Sequence, residues 1–378
     1  MVASQRLYSI DRLRGLVIIL MALDHVRDFF SPTPFWPEDV SQTTPEWFFT
    51  RWITHLCAPL FILLAGTSAF LREQKFGKIA MSHYLATRGL MLVILEVTII
   101  SFSWQLSTTP IVFLQVIWAI GVSMIVLAAL IHLPNWAIAI FAFGQIVLHN
   151  LLDQLNQGDM GFAYASLHFS AYFPWHSSGW GAFVAYPLIP WMGVMAVGYL
   201  LGNWMIQASN ERQKKLVWTG VACIVIFLIL RAVNLYGDPV PWSEQERGPV
   251  YTLLSFLNLA KYPPSLLYLL ITIGPGLLLL RWFEKVPPVG DSVLLLFGRH
   301  PLFFYLIHIP IIHLLAMAYA HFTWGEMPSL FGAQPYFPPG YEASLLRLYL
   351  AWISILILLW AACHYWDQYQ QKKRLVRR

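Results

Sequence analysis

The feature that most constrains this chain is a series of apolar stretches, each about 20 residues long, separated by polar or aromatic-rich segments. A helix needs about 20 mainly apolar residues to cross the hydrocarbon core of a bilayer. Charged residues make up only 11% of the 378 residues, whereas ordinary soluble domains carry roughly 25%. Because so few charges cannot cover a water-facing surface, the sequence excludes a soluble enzyme, a disordered chain and a fibrous protein.

The apolar pattern predicts an all-α fold, a polytopic integral membrane protein with about ten transmembrane helices. We find no internal repeat and no low-complexity tract, so residues 1–378 are predicted to form a single domain. The predicted spans lie at about 10–30, 52–71, 84–104, 110–131, 134–152, 183–206, 216–236, 263–282, 300–320 and 344–364.

The distribution of basic residues predicts the orientation of the chain. If the N-terminus is cytoplasmic, 18 of the 24 Lys and Arg residues fall in segments on the cytoplasmic side, as the positive-inside rule requires. We therefore predict cytoplasmic N- and C-termini and a multi-pass protein of the cell inner (cytoplasmic) membrane, with lipid as a partner. The net charge of +5 does not indicate nucleic-acid binding, because the basic residues lie in short loops between apolar spans.

The first predicted span carries polar groups at both ends. A charged side chain at mid-membrane costs about 2.5–3.5 kcal/mol, so such residues are functional candidates. Arg14 and His25 are 11 residues apart, which at about 100° per residue places them on nearly the same helix face, about 16 Å apart along the axis. Asp24 precedes His25, and a neighbouring carboxylate can orient an imidazole for proton transfer. The structural alternative is that Arg14 only reaches the lipid headgroups.

Further polar residues lie near the ends of other spans at similar depth, which favours a polar, water-accessible cavity over separate helix-end anchors. His308 and His313 are five residues apart, a poor spacing for two metal ligands on one helix face, so no metal site is expected. The residues of the predicted cavity include Arg27, Asp28, His55, His149, Asp153, Arg231, Lys261 and His308.

Two N-terminal segments resemble a known family. The first is Ser9-Ile-Asp-Arg-Leu-Arg-Gly15, followed by an apolar run and Asp24-His25; the second is Pro59-Leu-Phe-Ile-Leu-Leu-Ala-Gly66-Thr-Ser-Ala-Phe70. They resemble the bacterial branch of the heparan-alpha-glucosaminide N-acetyltransferase family, which is related to the transmembrane acyltransferases of the acyltransferase family 3 type. The signature of the latter is an arginine, ten residues and a histidine in the first span, and Arg14 and His25 match it.

The resemblance implies an acyl-CoA-dependent O- or N-acyltransferase. It would move an acyl group, expected to be acetyl, from cytoplasmic acetyl-CoA or another acyl-CoA to a sugar, a glycan or another small hydroxyl or amine acceptor at the outer face. The acyl group could pass directly to the acceptor or through a short-lived acyl-histidine, and both mechanisms are open. Whether the protein forms a homodimer is also open.

The resemblance also implies roles for individual residues. His25 would be the general base, with Asp24 orienting it and His55 as a further catalytic candidate. In the animal enzymes of the family the catalytic histidine lies in the loop after the first span. The corresponding loop here, residues 31–50, contains no histidine, so the assignment follows the Arg14 to His25 spacing instead. The residues expected to bind the phosphates of acyl-CoA are Arg12, Arg14, Arg88 and Arg299. The residues expected to contact the acceptor are Arg27, Asp28, His149, Asp153, Arg231, Lys261 and His308.

Two other functions compete with this hypothesis. A small-solute transporter or channel would use the outward polar cavity as its vestibule and needs helix breaks in corresponding halves of the chain. The proline breaks considered, from Pro187 to Pro310, lie in the last five predicted spans, which disfavours it. A haem or quinone redox protein would use the histidines near the helix ends, but their spacing does not require it.

Overall fold

The structure is a computed structural model that describes residues 7–107, 111–155, 161–175, 180–287, 293–329 and 336–376. It is 74% helical with very little sheet, which confirms the all-α, membrane-type interpretation. Within the described residues the α-helices are α1 (Tyr8–Phe30), α2 (Pro45–Trp52), α3 (Cys57–Phe76), α4 (Lys78–Leu95), α5 (Ser101–Gln105), α6 (Val116–Leu130), α7 (Asn135–Leu148), α8 (Gly161–His168), α9 (Trp191–Met205), α10 (Ser209–Val233), α11 (Pro249–Leu257), α12 (Leu266–Lys285), α13 (Val293–Arg299), α14 (Pro301–Trp324) and α15 (Leu345–Val376).

Among the described residues, seven helical segments are long and apolar enough to cross a membrane. The predicted spans at 10–30, 110–131 and 183–206 correspond to α1, α6 and α9, which are not among the seven. Helix α1 carries charges at both ends, and α6 and α9 are each 15 residues long. The count of ten spans and the cytoplasmic termini therefore stay predictions. The seven segments are Pro45–Phe76, Lys78–Gln105, Asn135–Gln154, Ser209–Val233, Leu266–Lys285, Pro301–Trp324 and Leu345–Leu375.

A small sheet occupies two places where the sequence predicts the start of a membrane helix. Its strands are β1 (Ile111–Leu114), β2 (Ala171–Pro174) and β3 (Gly181–Val184), in the order β1-β3-β2. β1 is parallel to β3, and β2 is antiparallel to it. The helix predicted from residue 110 begins only at Val116, because four apolar residues before it pair with a distant strand instead. Pro110 itself lies outside the described residues, as do Arg6, Arg377 and Arg378 of the cytoplasmic basic set.

The chain falls into two compact units, which we describe separately. Unit 1 comprises Met1–Cys57, Ser103–Leu106 and Leu279–Arg378, and unit 2 comprises Ala58–Phe102 and Ser107–Leu278. The prediction of a single domain over 1–378 stays a prediction.

Glycine allows close helix crossings in each unit. In unit 1 a Cβ on Gly15 of α1 would lie 2.0 Å from the carbonyl oxygen of Leu294, and a Cβ on Gly298 of α13 would lie 1.8 Å from that of Asp11. In unit 2 a Cβ on Gly66 of α3 would lie 2.0 Å from a carbonyl oxygen of α9. Small residues let membrane helices approach through their backbones, and no other side chain fits at these positions.

Candidate functional site

The C-terminal end of α1 is fixed in unit 1 by the segment before α15 and by the first turn of α15. The hydroxyl of Tyr341 donates to the carbonyl oxygen of Phe29 at 2.7 Å, and Nε of Arg347 donates to that of Phe30 at 2.6 Å. These carbonyls belong to the last turn of the helix and have no partner within it. The two bonds therefore hold the end of α1, and with it the residues one turn earlier, in one orientation.

One turn earlier on α1, His25 contacts a second histidine. Nδ1 of His25 lies 2.8 Å from Nε2 of His308 on α14. His308 is fully buried, and its Nδ1 lies 2.6 Å from the carbonyl oxygen of Tyr305. The indole of Trp104 meets the imidazole of His25 edge-on, with 5.0 Å between the ring centroids. This cluster of rings places His25 between two aromatic side chains from different parts of the chain.

His313, the next histidine on α14, contacts different residues. Nδ1 of His313 lies 3.0 Å from the carbonyl oxygen of Ser103, and its ring packs against Phe29 with 4.8 Å between centroids. His308 and His313 thus serve different partners. Across the part of the chain that the structure describes, no group of three His, Cys, Asp or Glu side chains is placed to hold a metal ion.

A network of ion pairs lies beside His25 in unit 1. Asp24 accepts from Nη1 of Arg51 at 2.7 Å and from Nη2 of Arg27 at 3.2 Å. Arg27 also pairs with Asp28 at 2.6 Å, and Nε of Arg51 lies 2.8 Å from a carboxylate oxygen of Glu38. Two cations bridge three anions, so a change at any one of them alters the charge balance around the others.

Glu38 brings the loop between α1 and α2 to this network. Nε2 of His55, in the short turn before α3, lies 3.4 Å from the same carboxylate. Burial by itself would raise the pKa of Glu38, but the charge of Arg51, the nearby His55 and the charge of Arg27 outweigh it and hold the pKa well below its usual range. Glu38 is therefore ionised near neutral pH and stabilises the loop as an anion.

At the other end of α1, Arg12 is engaged with backbone carbonyls. It is buried, and its guanidinium donates to the carbonyl oxygens of Phe283, Val286 and Pro287 at 3.2, 2.7 and 2.6 Å. These carbonyls lie at the C-terminal end of α12, where a cation satisfies unpaired acceptors and opposes the helix dipole. The guanidinium of Arg12 is thus committed to the protein backbone.

Arg14 makes a similar contact with a different helix. Its Nη1 donates to the carbonyl oxygen of Gly298 at 3.1 Å and lies 3.3 Å from Asp11. The side chain of Arg14 remains partly exposed, as does Arg299 at the end of α13. Arg14 therefore combines a fixed position near a helix end with partial exposure, and Arg299 shares the partial exposure.

The remaining predicted residues lie in unit 2. His149 is buried, with Nε2 2.8 Å from the carbonyl oxygen of Pro264. Asp153 accepts from His168 at 2.8 Å and from Asn150 at 2.7 Å. These bonds connect the end of α7 to the end of α8 and to the turn before α12.

Arg231 and Lys261 are also buried in unit 2. Arg231 donates to the carbonyl oxygens of Ser255, Phe256 and Asn258. It thus caps the C-terminal end of α11, as Arg12 caps that of α12. Nζ of Lys261 lies 5.2 Å from the ring centroid of Tyr262.

Arg88 of α4 differs from the other basic residues predicted to bind acyl-CoA, because its side chain is exposed and stacks at 5.9 Å over the ring of Tyr84. Unit 2 also holds an apolar cavity of about 290 Å³ lined by residues of α3, α7, α9, α10 and α12, among them Phe143, Trp204 and Cys223. None of the predicted site residues lines it.

The structure thus brings six predicted residues together at the C-terminal end of α1 and leaves five in unit 2. The six are Asp24, His25, Arg27, Asp28, His55 and His308; the five are Arg88, His149, Asp153, Arg231 and Lys261. The sequence predicts no role for Glu38, Arg51 and His168. Trp104 is one of the aromatic residues near the outer loops that suit either stacking on a sugar ring or a place at the membrane interface. For Glu38 the available signal was an acidic residue in a loop next to a polar helix end, a pattern that surface loops share.

A family model for heparan-alpha-glucosaminide N-acetyltransferase, catalytic, matches residues 6–232. This range covers more than half of the chain and includes α1 with Arg14 and His25, the ion-pair network and His55. The molecule is therefore a helical, membrane-type protein of an acetyltransferase family. It belongs to the heparan-alpha-glucosaminide N-acetyltransferase catalytic family, which confirms the resemblance seen in the first two spans. No match was found among the curated proteins.

Proposed function

We propose that the protein transfers an acetyl group from acetyl-CoA on the cytoplasmic side of the membrane to a hydroxyl or amine acceptor on the outer side, with a sugar or glycan as the expected acceptor. The observation that carries this proposal is the family match over α1. In that helix Arg14 and His25 are 11 residues apart, a spacing that corresponds to about 16 Å and nearly the same face of an ideal helix. The cluster of His25, His308 and Trp104 supports it, because it holds an imidazole in a confined position.

The proposed chemistry needs one base. The acceptor oxygen or nitrogen attacks the thioester carbonyl of acetyl-CoA as His25 takes its proton, the carbon–sulfur bond breaks, and the coenzyme A thiolate leaves and recovers the proton from His25. A positioned base of this kind contributes typically about 10²–10⁴-fold to the rate. The ion pairs of Asp24 keep the end of α1 in place during the reaction.

We assign the phosphates of coenzyme A to the basic residues at the N-terminal end of α1. Arg14 and Arg299 are the partly exposed members of this set in unit 1. A guanidinium matches phosphate geometry through two parallel hydrogen bonds. Arg12 would act indirectly, by fixing the end of α12.

The test combines binding with turnover. Purified protein in nanodiscs should be stabilised against heat by acetyl-CoA, and it should release free coenzyme A thiol when amino sugars or neutral sugars are added. His25→Ala should bind acetyl-CoA but lower kcat by at least about 100-fold. His83→Ala, at an exposed histidine of α4, is the matched control and should leave kcat unchanged.

Two outcomes contradict the proposal. A folded His25→Ala variant with the wild-type rate excludes His25 as the base. Exchange of a labelled solute across proteoliposomes without coenzyme A, together with no stabilisation by acetyl-CoA, favours a transporter instead.

A further inference from the structure

We infer that His308 is a positioning residue that fixes the tautomer of His25, so that Nε2 of His25 is the basic atom of the site. The family resemblance implies that His308 contacts the acceptor, and its position beside His25 gives it a second role. The inference rests on the proposed transfer reaction, in which His25 accepts a proton, and it adds which nitrogen accepts it and why.

Nδ1 of His308 carries the hydrogen of its imidazole. Its Nδ1 lies 2.6 Å from the carbonyl oxygen of Tyr305. A carbonyl oxygen can only accept a hydrogen bond, so Nδ1 of His308 must carry the hydrogen.

The surroundings of His308 determine its charge. The side chain is fully buried, and its described contacts are the carbonyl of Tyr305, the imidazole of His25 and the rings of Phe304 and Tyr305. None of these groups is an anion, and a buried cation without one is costly. His308 is therefore neutral, and its second nitrogen, Nε2, carries a lone pair and accepts.

Because Nε2 of His308 accepts, it determines which nitrogen of His25 carries hydrogen. Nδ1 of His25 lies 2.8 Å from Nε2 of His308, so Nδ1 must be the donor. In a neutral imidazole only one nitrogen carries a hydrogen, so the lone pair of His25 is on Nε2. The edge-on contact with Trp104 and the bonds of Tyr341 and Arg347 to the end of α1 keep the ring and the helix in this arrangement.

During transfer this arrangement supports the charged form of His25. When Nε2 takes the proton of the acceptor, the new imidazolium still donates through Nδ1 to His308. The ring of His308 is polarised in the same direction by its own bond to the carbonyl of Tyr305. A chain of one carbonyl and two imidazoles thus does what a carboxylate does in sites where an acid orients a histidine.

The experiment compares three substitutions at one position. His308→Gln keeps an amide oxygen near the place of Nε2, within reach of His25, whereas His308→Asn is one methylene shorter and leaves its amide near Tyr305. His308→Leu removes the acceptor. We expect kcat within about tenfold of wild type for Gln and at least about 100-fold lower for Asn and Leu, because an imidazole in the wrong tautomer loses up to about 10⁴-fold. KM for acetyl-CoA should stay within about twofold in all three variants.

A second readout does not depend on turnover. Nitrogen NMR of the histidine-labelled protein in nanodiscs, with His25→Gln to identify the signal, reports which nitrogen of His25 carries hydrogen. We expect hydrogen on Nδ1 in the wild type, and on Nε2 in at least part of the His308→Leu molecules.

The inference is overturned if the wild-type signal shows hydrogen on Nε2 of His25, or if folded His308→Asn and His308→Leu keep kcat within about threefold of wild type. A merely structural role for His308 would lower thermal stability in Gln and Asn alike without separating their kcat values. Failure of the proposed function would look different, because the wild type would then transfer no acetyl group while the NMR signal still reported the tautomer.

Discussion

At the scale of single residues, Asp24 holds the ion-pair network of unit 1 together. Its two carboxylate oxygens accept from Arg51 on α2 and from Arg27 on α1, and its side chain is 13% exposed. Asp28 is bonded to Arg27 as well, but its side chain is 28% exposed. Two carboxylates on one helix thus differ in burial.

We predict that Asp24→Asn destabilises the protein more than Asp28→Asn. Loss of the Asp24 charge leaves Arg51 and Arg27 with one carboxylate fewer in a largely buried setting, at a cost of about 2–4 kcal/mol. Loss of the more exposed Asp28 should cost about 1 kcal/mol or less. Thermal unfolding of both variants in the same detergent measures the difference, and equal Tm values would contradict it.

We also predict that the stability contributed by Glu38 is lost in acid. Because the pKa of Glu38 is held below its ordinary value of 4.5, the carboxylate contributes stability that is fully present above about pH 4.5 and is lost as the pH falls toward the lower, folded-state pKa. Glu38→Gln should therefore lower Tm at pH 7, by the equivalent of about 1–3 kcal/mol.

The gap between wild type and Glu38→Gln should close as the pH falls below about 4.5. Glu244→Gln, at an exposed loop position, is the control and should change Tm little at any pH. A gap for Glu38→Gln that is constant from pH 7 to pH 3 would show that its carboxyl is not ionised in the folded protein.

The sequence predicts the chemistry of His25 but not its partner. His25 stands out because its spacing from Arg14 is regular and lies within one helix. His308 is 283 residues away, and no periodicity within a chain encodes a contact across that distance. The role of Glu38 depends on a loop conformation that brings it to Arg51, which residue type alone does not specify.

At the scale of elements, the crossing of α1 and α13 depends on two glycines. The backbones approach so closely that a Cβ on Gly15 would overlap the carbonyl oxygen of Leu294. This crossing fixes the N-terminal part of the helix that carries His25. Glycine weakens a helix by about 1 kcal/mol relative to alanine, so its presence here reflects packing.

We predict that Gly15→Ala destabilises the protein by at least about 2 kcal/mol, because the contact is with backbone and cannot be relieved by a rotamer change. Gly144→Ala is the matched control: a Cβ at Gly144 of α7 would meet no atom within 4 Å. That variant should be neutral or up to about 1 kcal/mol more stable. Tm values that rank the two variants in the opposite order would contradict the close crossing.

The long helices follow from the sequence more directly than the sheet does. About 20 consecutive apolar residues leave few alternatives to a membrane helix. Strands β1 and β3 are four residues each and adjoin apolar helices, so their hydrophobicity merges with that of the next segment. Their pairing joins Ile111 to Gly181, a contact set by tertiary structure.

At the scale of the whole molecule, orientation in the membrane is the property that the proposed function most requires. The predicted topology places Lys214, at the start of α10, in the cytoplasm and Glu246, before α11, outside. Both side chains are exposed.

We predict that a membrane-impermeant maleimide added to intact cells labels Glu246→Cys but not Lys214→Cys, and that both are labelled after permeabilisation. The parent chain, with Cys57, Cys223 and Cys363 replaced by alanine, is the control. The reverse pattern would invert the topology, and labelling of both in intact cells would contradict the alternation of spans between them.

His25 and His308, which meet at the end of α1, are synthesised at different times. A ribosome adds about 5–20 residues per second, so the 283 residues from His25 to His308 take roughly 15–60 s to synthesise. During most of that interval α1 is already synthesised, but the imidazole of His308, which we infer fixes the tautomer of His25, is not. Under the proposed reaction, an unfinished chain that stops before α14 would carry His25 without its partner ring, and acetyl transfer would begin only once the last helices are made.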